Sequence, residues 1–194
     1  MRVLEPHSAL VRVTHWVNAA AFAALLVSGV AILLAHPRLY WGETGAIGAP
    51  SLVDLPLPML LTGQSGWGRS LHFLSAWACV IAGAIYLLSG LRSGHFRYHG
   101  YDRAQRVAYF VVVLVLAPAM IWTGLAMSPA ITSVAPLLVT AVGGQQSART
   151  IHFFVGSTLL LFLAGHVTMV ALSGFRVRMR GMITGERAVT GARA

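Results

Sequence analysis

Four apolar stretches, each long enough to cross a bilayer and none containing an aspartate or glutamate, dominate this chain of 194 residues. They run from about Val13 to Ala35, Ser70 to Leu91, Val107 to Ser128 and Thr150 to Phe175. A span needs roughly 20 such residues, because a helix rising about 1.5 Å per residue must clear about 30 Å of hydrocarbon. Backbone N–H and C=O groups in that layer must be satisfied internally, which leaves helices or a closed barrel. No sustained apolar–polar alternation occurs, so the barrel is excluded. The composition agrees: 57% hydrophobic and 10% charged residues, against about 25% charged residues in soluble domains. The expected fold is an all-α membrane protein, a bundle of four transmembrane helices. The first stretch is too long for a cleavable leader and no small-residue cleavage site follows it. Pro118 falls inside the third stretch, where a kink is tolerated if neighbours satisfy the freed carbonyl.

All fourteen basic residues are arginine, and they face five acids for a net charge of +9. On a soluble protein that balance suggests nucleic acid; on an apolar chain it marks the cytoplasmic side. With four spans, Arg2 and Arg12, then Arg92, Arg97, Arg103 and Arg106, then Arg176, Arg178, Arg180, Arg187 and Arg193 all fall on one face. Arg38, Arg69 and Arg149 fall on the other. Both termini are therefore expected in the cytoplasm, with the chain multi-pass in the membrane. The single cysteine, Cys79, excludes an internal disulfide, a multi-cysteine iron–sulfur site within the chain and covalent CxxCH haem attachment.

Ionisable residues inside a span are costly and count as functional candidates. His15, His72, His152 and His166 lie in or at the edge of spans. His152 and His166 are separated by fourteen residues, which is within roughly 40° of four whole turns and about 21 Å along the axis, so both point the same way. With the arginine-derived orientation, His72 and His152 share the outer level while His15 and His166 share the cytoplasmic one. A lone membrane histidine often serves as an interhelical hydrogen-bond partner, but that does not explain two matched levels. Zinc or copper wants three or four converging ligands, and a proton relay would use acids, which the spans lack. Two imidazoles facing each other across a bundle ligate one haem iron axially. Two levels predict two stacked haems.

An arginine precedes three of these histidines by three residues: Arg12 before His15, Arg69 before His72 and Arg149 before His152. Residues three apart share a helix face, and a guanidinium fork suits a haem propionate, although arginines also mark helix ends at the headgroup level. Gly29, fourteen residues after His15, offers room for the outer porphyrin. The outer connection from His36 to Trp67 is long and carries Tyr40-Trp41-Gly42-Glu43. Loops of that length are usually functional, and Tyr40 with Trp41 reads either as an interfacial aromatic anchor or as a partner-docking element. The apolar Pro129–Gly144 connection, broken by prolines and glycines, is expected to be a short re-entrant or interfacial piece.

From His15 to about Gly181, the chain resembles the four-helix di-haem cytochrome b subunits of bacteria. These anchor thiosulfate reductase, formate dehydrogenase and nickel–iron hydrogenase. The matching residues are Thr14-His15-Trp16, the GRSLHF run Gly68–Phe73, the IHFFVG run Ile151–Gly156 and the H-x13-H of the last span. Tyr40-Trp41-Gly42-Glu43-Thr44-Gly45 points to members serving a periplasmic molybdopterin oxidoreductase; hydrogenase members usually carry an extra span, absent here. The resemblance implies two haem b groups and quinone chemistry beside the cytoplasmic one. Tyr101, Asp102, Gln105, Arg106 and Tyr109 resemble a Tyr-Asn-x-x-Gln-Lys/Arg-x-x-Tyr pattern, with Asp102 replacing the asparagine; a solvated charge cluster is the alternative for this segment. His95 and His99 read as surface residues.

The expected organisation is a di-haem domain over residues 1–181 and a flexible cytoplasmic tail over 182–194. The expected function is electron transfer between membrane quinone and a periplasmic oxidoreductase, as a subunit with no catalytic residues of its own. The alternatives are a stand-alone superoxide:quinone oxidoreductase and a non-redox membrane scaffold or haem carrier.

Overall fold

The computed structural model describes residues 2–3, 7–45, 48–60, 66–93, 103–185 and 189–190, with backbone only at 2–3, 103–106 and 189–190. Four helical stretches have the length and apolar character of membrane spans, as expected. Helix α1 is Ala9–Ala35, α2 is Trp67–Arg92 and α7 is Gln145–Leu172. The third span, Val107–Ala126, is composite. It joins α3 (Arg103–Phe110), a π-helical segment Val111–Leu116 and α4 (Ala117–Ala126). The fold class is that of an all-α membrane protein.

The helices outrun the apolar runs that announce them. Helices α1 and α7 begin at Ala9 and Gln145, a turn or more before the expected Val13 and Thr150, because a helix continues through the headgroup layer where polar residues are tolerated. Helix α7 stops at Leu172, short of Phe175, because Gly174 adopts φ +99° and breaks it. Helix α8, Phe175–Thr184, starts anew from that glycine. In the third span Pro118 brings neither an N–H nor room for the Leu114 carbonyl. The chain accommodates it with the wide π turn just upstream, where the Ala117 N–H donates to the Val112 carbonyl.

Two compact units make up the chain. The first comprises Met1–Gly29, Trp67–Tyr98 and Leu163–Ala194. Its buried positions on α1, Thr14, Ala21 and Ser28, recur every seven residues, as do Gly68, Ser75 and Ala82 on α2. Small residues let membrane helices approach closely, and a seven-residue period favours a left-handed crossing. The Cys79 sulfur lies 3.9 Å from the Asn18 carbonyl oxygen. Helix α8 is tied to the start of α1: Arg12 Nη1 donates to the Ile183 carbonyl and Trp16 Nε1 to that of Met182, each at 3.1 Å. Strands β1 (Arg2–Val3) and β4 (Val189–Thr190) pair antiparallel, Arg2 opposite Thr190. Of the expected tail, residues 186–188 and 191–194 lie outside the described residues.

The second unit comprises Val30–Gly66 and His99–Phe162. Its core is a seat for the 36–66 connection on the first turns of α7. Leu39, Ser147, Ala148 and Thr150 are buried, and Tyr40 nearly so. Thr150 Oγ1 donates to the Tyr40 carbonyl at 2.7 Å, and the Gly42 N–H donates to Ser147 Oγ at 2.8 Å. Gly144 has φ +112°, and a Cβ there would meet the Gly42 carbonyl at 2.5 Å. The aromatic pair is therefore split: Tyr40 is core rather than an interfacial anchor, while Trp41 is 60% exposed. Strands β2 (Arg38–Leu39) and β3 (Val53–Asp54) pair antiparallel, with Arg38 Nε 3.1 Å from Asp54 Oδ2 at the surface. The 129–144 connection forms two one-turn helices, α5 (Pro129–Thr132) and α6 (Leu137–Thr140), held where Trp122 Nε1 donates to the Leu138 carbonyl at 3.0 Å.

Candidate haem-binding site

Within the first unit, α1 and α7 bring the rings of His15 and His166 close together, tilted against each other. Their ring centroids lie 6.4 Å apart with 59° between the planes. Two imidazole nitrogens each about 2 Å from one shared metal atom, on rings about 1.1 Å in radius, have centroids about 6 Å apart. The separation fits one iron between the rings. Among the described residues no group of three or more His, Cys, Asp or Glu side chains could hold a metal ion. Trp16 stands edge-on to His15, centroids 5.4 Å apart, and its indole N–H is anchored on Met182.

Arg12 lies one turn before His15 on α1. Its Nη1 is engaged by the Ile183 carbonyl, but its buried Nε finds no partner among the described residues. A buried guanidinium N–H without an acceptor is costly. A propionate is the acceptor that a haem held by His15 and His166 would bring. The residues present thus fit the group on two independent observations, the ring spacing and the orphaned donor.

The other two histidines are each fixed at Nδ1 by a buried hydroxyl. In the first unit His72 Nδ1 lies 3.0 Å from Ser28 Oγ, and a Cβ on Gly29 would stand 3.6 Å from His72 Cε1. In the second unit His152 Nδ1 lies 2.9 Å from Thr123 Oγ1, and a Cβ on Gly124 would stand 3.6 Å from His152 Cε1. Ser28, Thr123 and Gly124 were not singled out by sequence reasoning. Each hydroxyl is followed by a glycine, as Ser28-Gly29 on α1 and Thr123-Gly124 on α4, but Ser89-Gly90 on α2 shows the same dipeptide, so the pattern alone does not single them out. Gly29, expected near the porphyrin, abuts the His72 ring.

The remaining candidates are scattered. Arg69 is exposed on the first turn of α2, and the Arg149 guanidinium donates to the His36 carbonyl. Tyr101 and Asp102, with His95 and His99, lie outside the described residues, and Gln105 and Arg106 are placed by backbone alone on α3. Tyr109 is exposed.

Four apolar spans, with two histidine rings 6.4 Å apart on the first and last of them, are the features of a membrane cytochrome. The family model described as prokaryotic cytochrome b561 matches residues 6–185, and the chain belongs to that family. It is a multi-pass haem b protein of the membrane. It is 27% identical over 198 residues to a putative protein-methionine-sulfoxide reductase subunit, YedZ1, of Azospira oryzae, covering 86% of this chain and 90% of that protein. No solved structure matches the chain.

Proposed function

We propose that this cytochrome carries electrons from the quinone pool of the bacterial inner membrane to a periplasmic oxidoreductase through two b haems. His15 and His166 hold the first and His72 and His152 the second. The observation that carries the reading is the close pair His15 and His166, 6.4 Å apart on the first and last spans. The arginine distribution supports an orientation with both termini cytoplasmic, which puts that pair at the cytoplasmic level and the other two histidines at the outer level. The relative named as a methionine-sulfoxide reductase subunit supports a partner that reduces methionine sulfoxide, of the molybdopterin type suggested by residues 40–45. Quinol releases two electrons and two protons; the sulfoxide takes up two of each and yields the thioether and water.

A bound haem supplies a reversible one-electron change at its iron. The chain's own residues do the rest. Neutral imidazoles from His15 and His166 ligate in both oxidation states, so little reorganises on transfer. Arg12 Nε offers a charge-assisted hydrogen bond to a propionate, and Arg69 and Arg149 are the corresponding candidates at the outer level. The apolar spans exclude water around both levels. At the cytoplasmic entrance Asp102 accepts a quinol proton, while Gln105 and Arg106, flanked by Tyr101 and Tyr109, donate to a quinone carbonyl.

Pyridine haemochrome on the purified full chain, followed by reduction with a quinol analogue, tests the reading. Two haems per chain, both reduced by quinol and reoxidised only when the periplasmic partner and methionine sulfoxide are present, are expected. One haem or none, or haems that quinol leaves oxidised, would sink it.

A further inference from the structure

We infer that helix α8 is a strap between the two helices that carry His15 and His166, and that Arg12, Trp16 and Gly185 are positioning residues through which it fixes the His15 ring. The inference rests on the proposal above that this pair holds the first haem.

All parts of the strap belong to the first unit. Helix α7 carries His166 and ends at Leu172, and Gly174 at φ +99° turns the chain into α8. The start of α8 is fastened to that turn. The Arg178 backbone N–H donates to the Gly174 carbonyl at 3.1 Å, and Arg178 Nε donates to the Ser173 carbonyl at 3.2 Å. After the ten residues of α8, about 15 Å at a helical rise, the other end reaches α1. The last carbonyls of a helix have no partner within it and carry its negative dipole end. The Gly181 carbonyl accepts the Gly185 N–H at 3.1 Å, while those of Met182 and Ile183 accept Trp16 Nε1 and Arg12 Nη1, each also at 3.1 Å. An indole N–H and a guanidinium on α1 thus cap α8.

Arg12, His15 and Trp16 occupy one stripe of α1, because residues three and four apart share a helix face. The two contacts therefore grip α1 on both sides of His15. Trp16 stands edge-on to the His15 ring, centroids 5.4 Å apart at 71°, so a held indole limits how that ring turns against His166. Gly185 completes the grip. Its φ of +75° ends α8, and a Cβ there would stand 2.5 Å from Arg12 Nη1 and 2.8 Å from Cζ. Any side chain at 185 would drive the guanidinium off the Ile183 carbonyl. The strap thus sets together the angle between the two rings, 59°, and the place of the Arg12 charge.

The test uses the full haem-loaded chain with Trp16→Phe, Gly185→Ala and Gly185→Asn. The readouts are redox titration, low-temperature EPR of the ferric low-spin signals, and limited tryptic cleavage at the exposed Arg176, Arg178 and Arg180. Trp16→Phe keeps an aromatic edge beside His15 but loses the donor to Met182. Cleavage within α8 should quicken about five-fold, and the EPR signal of the His15 haem, which reports the angle between its axial rings, should shift. Asparagine tolerates a positive φ but brings the same Cβ as alanine. Both Gly185 variants should therefore lower the midpoint potential of that haem, and combining either with Arg12→Gln should add nothing to the effect of Arg12→Gln alone. The parent potential in Gly185→Asn would mean that the glycine serves the backbone turn alone, and it would overturn the inference. Parent-like EPR and cleavage in Trp16→Phe would overturn it equally. His15→Ala, run alongside, identifies the haem signal; were every low-spin signal to survive that change, the functional reading beneath the inference would fail instead.

Discussion

Replacing His166 by alanine is the sharpest test of the site. The two rings stand 6.4 Å apart, a gap that admits one metal atom with a bond of about 2 Å on either side. On the proposed assignment each of the two histidines supplies one of the iron's two protein ligands. Truncation leaves one protein ligand and an opening the size of an imidazole, and the haem is either lost or becomes high-spin. Haem content should fall from two per chain to about one, with about half the low-spin Soret absorbance gone. The same component should vanish in His15→Ala. Because the two side chains act on one metal, the effects are non-additive: the double variant should lose no more than either single one. Added imidazole should restore the low-spin spectrum of either single variant by filling the vacated side. Spectra and pyridine haemochrome on the three purified variants decide the matter. If His15→Ala and His166→Ala removed different components, or the double variant lost both haems, the axial-pair assignment would be refuted.

Arg12→Gln removes a half-buried cation beside the proposed first haem; its midpoint potential should fall in a redox titration, while Arg12→Lys retains part of the effect. Thr150→Val deletes the buried donor to the Tyr40 carbonyl and should cost about 1–3 kcal/mol, seen as a lower denaturation midpoint, with Thr150→Ser close to the parent. Gly144→Ala puts a Cβ 2.5 Å from the Gly42 carbonyl at φ +112°. A positive φ alone costs an L-residue about 1–2 kcal/mol, and the backbone clash adds to it. Limited proteolysis should therefore cut the 36–66 connection faster than in the parent. Arg38→Ala, by contrast, breaks an exposed ion pair worth no more than about 1 kcal/mol, and thermal unfolding should barely register it.

The four spans were legible in the sequence because a bilayer imposes a one-dimensional requirement: enough consecutive apolar residues to cross it. The same-face placement of His152 and His166 was legible too, since helix periodicity alone sets it. The helix ends were less so, because helices α1 and α7 extend into polar turns that the apolar pattern does not mark. The π turn upstream of Pro118 was foreseen only as a kink.

What escaped sequence reasoning depends on how one helix is rotated against another. Ser28 meets His72 across 44 residues of chain, Thr123 meets His152 across 29, and Thr150 meets the Tyr40 carbonyl across 110. Hydropathy marks which residues leave water but not which buried donor reaches which acceptor. Serine and threonine in membrane helices can simply hydrogen-bond their own carbonyls, as Ser28 and Thr123 also do here. Likewise the spacing of Arg149 before His152 gives no sign that its guanidinium donates to the His36 carbonyl. The solvent, the number of crossings and the candidate ligands follow from local composition and helical period, and so can be read along the chain. Which polar atoms pair cannot, because a buried hydrogen bond requires its partners within about 3 Å, a condition set by the packing of segments far apart in the chain.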